Sequence, residues 1–578
     1  MNNIEFIKQA TNTEVAQGII EFRGNQINHL NQKTVKKALY KHCSPELANK
    51  VIHGYRRSSS QPQAIEADFM KSNVEYIDIP RDIHYQRAIK VVTKMFKPSR
   101  TLKPVSFPDL RYYPWHLSVS AEVPFTINDK YIKIVAEKQR DGECDGKLTF
   151  HNLYDEIFYL NRALIHQIKD KDPQFWKDGV PKPYYYHTLH GRAHLVESHE
   201  DDKIRAVFGV TKLFLFAEAM FIWPLMKELL NGKTDSPMLW GYETIKGGWR
   251  ALHSLLTSRN LNTFISADWS GFDRTVRHEI ITDIHNIIRS YFTFEEGYEP
   301  TLAEAQGDAR LGYPQSSTNA ERLENLFEWM SYNTKHTPIK SPLENIYKWK
   351  HSGLASGFLQ TQILGSMINA TMLLTSLSAL GINIEAKNFT LKVQGDDSII
   401  GFAEREATIN KEQFLEKLAS ETKRRFGATM NTKKSEIQNT VEGLSVLSYR
   451  NKGGYAYREE DKLLALLLHP EKSATPEDLA ASAIGIAYSS MGSSKTVYNV
   501  CKDVHDFLTN KMNVKPNFRS WEWTIQMNHE ELPFTEEFPT FQQLVELNTV
   551  YQPRSETAKQ RMWPTRPKGE FGFHFVDD

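Results

Sequence analysis

The sequence predicts an α+β fold around a small sheet: strand-like and helical segments alternate through its middle and give way to a late helical region. Asn262 to Ala267 has the β-branched and aromatic character of a strand. It delivers Asp268 at its end, and Ile280, Ile281, Ile284, Ile287, Ile288 and Tyr291 follow at helical spacing. Two apolar β-like runs, Phe389 to Val393 and Ser398 to Phe402, flank Gln394-Gly395-Asp396-Asp397, the pattern of a hairpin with Gly-Asp-Asp at its tip. Thr475-Pro-Glu-Asp opens a late helix, with an N-cap followed by proline at the first helical position.

The remaining segments are read in chain order. Residues 1–110 form an N-terminal extension whose helical pieces are interrupted by Arg56-Arg-Ser-Ser-Ser-Gln-Pro, a polar stretch rich in breakers and expected to be a loop. Residues 182–187, Lys-Pro-Tyr-Tyr-Tyr-His, form an aromatic turn. The most apolar stretch, Phe214 to Leu230, carries Glu218, Lys227 and Glu228, so it reads as a buried or amphipathic helix and not a membrane span. Ser352-Gly-Leu-Ala-Ser356-Gly357 is a small-residue loop running into an apolar helix, Gln362 to Leu380, with Gly381 as its C-cap. Lys411 to Phe426 places Phe414, Leu415, Leu418 and Phe426 on a helical period and stops at Gly427. Arg554 to Lys568 is basic, contains Trp563, and is expected to be an irregular tail lying in a groove. There is no internal repeat.

Composition sets bounds on function. The 578 residues are enough for several subdomains with large buried cores. A formal net charge of +1 is low for a protein that coats nucleic acid, although a basic tunnel can be balanced by an acidic exterior. The three cysteines, Cys43, Cys144 and Cys501, are far apart and odd in number, which supports neither a disulfide framework nor a cysteine zinc site and fits a reducing, intracellular setting. The N-terminal residues lack the apolar core of a signal peptide.

The chemistry lies in three ordered segments: Asp268-Trp-Ser-Gly-Phe-Asp273, the Ser356-Gly357 loop with Thr361 and Asn369, and Gly395-Asp396-Asp397. Phosphoryl transfer with two metal ions needs hard oxygen ligands, and Mg²⁺ takes carboxylates together with substrate phosphate oxygens. Asp268 and Asp396, one from each adjacent strand, are the best ligands, with Asp397 as helper. Asp273 and Asn369 are placed to hydrogen-bond a ribose 2′-hydroxyl, a contact that discriminates strongly against a sugar lacking it. Ser356-Gly357 gives a backbone able to approach a phosphate or a template base, and Thr361 can donate to the same network. Arg192, Lys203 and Arg205 are candidates to hold a triphosphate. Lys433 or Lys434 could protonate a pyrophosphate leaving group. Taken singly, each has a bland alternative: an aspartate in a turn, a helix cap, a buried amide, a solvated basic loop. Together and in order they point to template-directed nucleotidyl transfer.

These motifs resemble those of viral RNA-dependent RNA polymerases. The Asp-x4-Asp segment is similar to the family's motif A. Ser356-Gly357, Thr361 and Asn369 are similar to motif B, and Gly395-Asp396-Asp397 to motif C. Lys434 or Lys433 matches motif D, Leu447-Ser-Tyr449-Arg450 looks like motif E, and Lys203 with Arg205 are the candidates for motif F. Asp-Trp-Ser-x-Phe-Asp together with Gln-Gly-Asp-Asp-Ser is most similar to the polymerases of partitiviruses and picobirnaviruses, which have segmented double-stranded RNA genomes.

The resemblance implies a closed right hand of fingers, palm and thumb, with a small antiparallel palm sheet packed on helices. Its parts would be an N-terminal extension at 1–110 bridging fingers and thumb, and fingers with part of the palm at 111–260. The palm would occupy 261–455, with a fingers segment inserted around 300–350, and the thumb and C-terminal tail 456–578. It further implies two Mg²⁺ or Mn²⁺ ions, RNA template and product, ribonucleoside triphosphates and capsid protein as partners, a monomer without membrane attachment, and action inside the viral particle or in the host cytoplasm. A reverse transcriptase is the nearest rival. It is disfavoured because Asp273 and Asn369 suit ribonucleotide selection and no aromatic guard of the sugar follows Asp268. A non-catalytic viral structural or RNA-packaging protein is the rival from another class, and it predicts dispensable aspartates.

Overall fold

The structure is a computed structural model that describes residues 2–11, 28–230, 236–299, 317–403, 410–471, 474–518 and 537–555. The basic tail beyond residue 555 and much of the expected inserted segment, at 300–316, lie outside the described residues.

A four-stranded antiparallel sheet, with Asp268 and the Gly-Asp-Asp turn at one end, organises the middle of the chain. Its order is Thr390–Gln394, Asp397–Phe402, Thr263–Ala267, Glu436–Gln438. The strand Thr263–Ala267 is buried along its whole length. Side chains alternate across a strand, so it feeds two cores at once. Phe264 and Ile399 pack with Trp249, Leu252 and Leu444 on one face. Ile265, Ala267 and Ile400 join the main core on the other. The helix Thr361–Ala379 covers that second face and is buried on all sides from Ile363 to Ser378, as a helix apolar all round its axis must be. The expected hairpin, the helix after Asp268 (His278–Ser290) and the helix Lys411–Phe426 ending at left-handed Gly427 are all present. The late helix Pro476–Ser489 carries a full capping box from Thr475 and Asp478.

A five-stranded sheet lies beside the first. Its order is Ile4–Gln9, Asn345–Trp349, Ile339–Lys340, His187–Ala193, Ile204–Gly209. The chain's first strand thus pairs with a segment more than 300 residues away, Ile4 opposite Trp349. Just before it, Asn3 is fully buried. Its Oδ1 accepts from the His351 and Ser352 N–H groups at 3.0 and 2.9 Å, and its Nδ2 donates to the Ser72 and Ser352 carbonyls at 2.8 Å each.

Described helices of the N-terminal and C-terminal regions also share a core. Helices His29–His42 and Pro45–His53 pack with Glu460–Leu468, Pro476–Ser489 and Lys495–Asp506 around Leu39, Val51, Leu464, Ile484 and Val500. The expected loop at Arg56 is corrected in part: Tyr55–Arg57 is a strand paired with Leu195–Glu197, and a helix starts at Pro62. Local polarity favoured a loop, but a distant strand supplies the backbone partners. The three cysteines are free, and Cys501 is buried. Among the described residues no helix is long and apolar enough to cross a membrane.

Candidate active site

Asp268, Asp273 and Asp396 line one cavity of about 460 Å³ together with Lys203, Arg205 and Lys434. Four separate parts of the chain therefore converge on it, and the sheet register explains how. Ala267 pairs with Ser398, so Asp268 continues its strand to the level of Asp397, which closes the hairpin against Gln394. The two-residue tip, Gly395-Asp396, needs a positive φ, and Gly395 has 62°. The tip turns Asp396 into the cavity. Asp397 is not in the cavity wall; the Leu447 backbone N–H lies near its carboxylate and partly offsets its raised proton affinity. Gly271, at φ 61°, then bends the chain after Asp268 so that the short helix Phe272–Thr275 presents Asp273 to the same space.

Burial raises the proton affinity of Asp268, Asp273 and Asp397. Burial holds the Asp268 carboxyl above its usual value and Asp396 adds repulsion, while Lys434 and Lys203 pull it back. Burial pushes Asp273 up to about 6, opposed by Arg205 and Arg274. Burial, followed by repulsion from Asp396, pushes Asp397 up to about 6. Among the described residues no three His, Cys, Asp or Glu side chains converge closely enough to form a metal site of their own. A hard divalent cation bound through one or two carboxylates, with substrate phosphate completing the shell, needs no such cluster. Asp268 and Asp396, facing one cavity at the cost of mutual repulsion, are a donor set that fits it.

Asn369 is fully buried, and its side chain is occupied by structure. Its Nδ2 donates to the carbonyls of Gly395 and Asp396 at 3.0 and 2.9 Å, and Trp269 Nε1 donates to its Oδ1 at 3.0 Å. It therefore ties the Gly-Asp-Asp turn to the segment after Asp268, and unlike Asp273 it does not line the cavity. Ser366, one turn earlier on the same helix, accepts from Gly395 N–H at 2.8 Å. Thr361 Oγ1 donates to the Ala355 carbonyl at 2.9 Å, closing the small-residue loop on itself. Gly357 is pressed against the strand Ile204–Gly209: a Cβ there would lie 2.0 Å from the Phe208 carbonyl oxygen. The Ser356 Oγ is buried without a hydrogen-bond partner.

The basic candidates separate. Lys203 and Arg205 line the cavity, and an Arg205 guanidinium nitrogen stands 3.9 Å from Asp273 Oδ2. Arg192, opposite Arg205 in the strand register, instead makes a bidentate pair with Glu471 at 2.9 and 2.8 Å and is absent from the cavity wall. Of the two lysines, Lys434 faces the cavity and Lys433 does not. Asn431 N–H donates to the Asp268 carbonyl at 2.8 Å, and Asp268 N–H donates to Ser435 Oγ at 2.9 Å. This two-sided clasp brings Lys434 alongside Asp268.

Sequence reasoning missed several contributors. Ser366 lies three residues before Asn369, which is same-face helical spacing and a usable signal. Asn431 and Ser435 had only a turn-like composition to offer. Asp68 and Lys71, which also line the cavity, come from the N-terminal region and carry no local signal of this role.

Comparison with known proteins gives concordant results. A family model described as viral RNA-dependent RNA polymerase matches residues 145–503. An RNA-directed RNA polymerase of White clover cryptic virus 1 is 29% identical over 94% of this chain and 93% of its own length. An RNA-directed RNA polymerase of Atkinsonella hypoxylon virus is 25% identical over 71% of this chain and 65% of its own length.

Proposed function

This chain belongs to the viral RNA-dependent RNA polymerase family, and from that premise we propose that it joins ribonucleotides to an RNA 3′-hydroxyl at the Asp268–Asp396 cavity, copying and transcribing a double-stranded RNA genome. The observation that carries the proposal is the convergence of two carboxylates from adjacent strands with Lys203, Arg205 and Lys434 on one space.

Each side chain has a part. Lys203 and Arg205 hold the incoming triphosphate by charge-assisted contacts, and the strand that carries Arg205 packs on the loop through Gly357. Asp273 accepts from the ribose 2′-hydroxyl. Asn369 supports that selection indirectly, by fixing the Gly-Asp-Asp turn against Trp269. Lys434 donates a proton to the departing pyrophosphate. Asp268 and Asp396 would hold two Mg²⁺ or Mn²⁺ ions, with Asp397 behind them, and such ions activate the attacking hydroxyl and offset charge on the leaving group.

The same reading assigns the four-stranded sheet and its helix to a palm, the five-stranded sheet to fingers and the C-terminal helices to a thumb. The shared core of the N-terminal and C-terminal helices supports an N-terminal region bridging fingers and thumb around a closed channel. Capsid contact, a monomeric state and action inside the viral particle complete the proposal, on the similarity of the motifs to partitivirus and picobirnavirus polymerases. The test is incorporation of rNTP and dNTP on an RNA template with Mg²⁺. The proposal predicts a strong rNTP preference, and a dNTP preference would contradict it.

A further inference from the structure

Asp68 sits in the last turn of the helix Pro62–Met70, 206 residues before Arg274 in sequence, yet both are part of the cavity wall. Its side chain is only 4% exposed, in a position where an unpaired carboxylate would be costly. Oδ1 accepts from Arg274 Nη2 at 2.6 Å and lies 3.4 Å from Lys71 Nζ, while Oδ2 is buried with no hydrogen-bond partner. Arg274 is the residue next to Asp273, whose carboxylate also feels the guanidinium of Arg205 at 3.9 Å. Asp273 thus feels the charge of two guanidinium groups and is hydrogen-bonded to neither, and that of Arg274 is bound to Asp68.

We infer that Asp68 is a positioning residue for sugar selection: by anchoring Arg274 it prevents that guanidinium from closing on Asp273, and so leaves the Asp273 carboxylate open to an incoming ribose. A close Arg274–Asp273 pair would occupy the carboxylate lone pairs that a 2′-hydroxyl needs. The N-terminal region then contributes to substrate choice as well as to the fold. The inference rests on the proposed role of Asp273 as reader of the 2′-hydroxyl.

The experiment measures kcat/KM for single rNTP and 2′-dNTP additions on a primed RNA template with Mg²⁺, using the full chain. Asp68→Asn keeps shape and removes charge. It should lower the rNTP-to-dNTP ratio by about tenfold, mostly through the rNTP arm, since residues in direct contact couple at this scale. Asp68→Glu, which keeps the anchor charge, should restore most of the ratio. In Asp68→Asn/Arg274→Gln the guanidinium that Asp68 holds is gone and Arg205 is unchanged, so the ratio should equal that of Arg274→Gln alone. If Asp68→Asn fails to fold, that double variant is read instead, and a ratio below that of Arg274→Gln overturns the inference. Asp273→Asn separates the two levels. If it collapses the ratio while Asp68→Asn leaves it at the wild-type value, the inference fails and the ribose reading stands. If Asp273→Asn leaves the ratio unchanged, the ribose reading fails and the inference falls with it.

Discussion

Asn369 lines no part of the cavity, so on the proposed reading it would serve selection without touching the sugar. Its amide is spent on the Gly395 and Asp396 carbonyls and on Trp269. Asn369→Ala strands those buried groups and should cost about 1–3 kcal/mol, the usual penalty for an unsatisfied buried partner, with a larger loss of polymerisation as the turn loosens. Thermal unfolding and extension rate on one preparation check both. The carboxylates make a second prediction. Asp273 and Asp397 have folded values raised to about 6, so the native state binds more protons than the unfolded chain between about pH 4 and 6. Stability without metal should therefore fall as pH rises through that window and level off above it. On the proposed reading bound Mg²⁺ would compensate the buried charge, so its stabilising shift in Tm should be larger at pH 7.5 than at pH 5. Equal shifts at the two pH values would contradict the buried-carboxylate account. Asp268, Asp273 and Asp396 were legible from order and spacing alone. The part played by Asn369 was not, because whether an amide faces a cavity or a turn depends on a helix rotation that spacing leaves open.

At the scale of elements, the site depends on close approaches between segments distant in sequence. Gly365 on the central helix comes close to the Gly-Asp-Asp tip, where a Cβ would lie 3.4 Å from Gly395 Cα, an ordinary contact. Gly357 is far tighter against the Phe208 carbonyl. Gly357→Ala must therefore displace either the loop or the strand that carries Arg205 and directly follows Lys203, and should raise the KM for nucleotide more than Gly365→Ala does. Steady-state kinetics of the two variants provide the comparison. The strands, hairpin and helices of the central sheet were readable because their apolar periods are strong and their caps explicit. The strand Tyr55–Arg57 was not: its sequence is polar, and its pairing with Leu195–Glu197 is a tertiary event. The strand Ile4–Gln9 likewise exists because Asn345–Trp349 offers it an edge.

For the whole molecule, described helices of the N-terminal and C-terminal regions close on each other, and the N-terminal region reaches the strand that carries Arg192. Arg57 donates to the carbonyls of His469 and Ala193, linking the N-terminal region, the C-terminal helices and the strand that carries Arg192. Arg192–Glu471 spans the same gap and is exposed, so Glu471→Gln should change stability by less than about 1 kcal/mol. Arg57→Ala leaves two carbonyls short of a donor and should cost more, with faster limited proteolysis near residues 53–61 as the readout. The cavity wall sets Lys71, Lys203, Arg205, Arg274 and Lys434 against Asp68, Asp202, Asp268, Asp273 and Asp396, so a net charge of +1 needs no acidic exterior to offset it. The most direct test of the central claim is extension of an unprimed or primed RNA template with four rNTPs and Mg²⁺, comparing the wild-type chain with Asp396→Ala. The account predicts RNA synthesis by the wild type and its loss in a variant that stays folded and still binds RNA; wild-type synthesis by Asp396→Ala would contradict it.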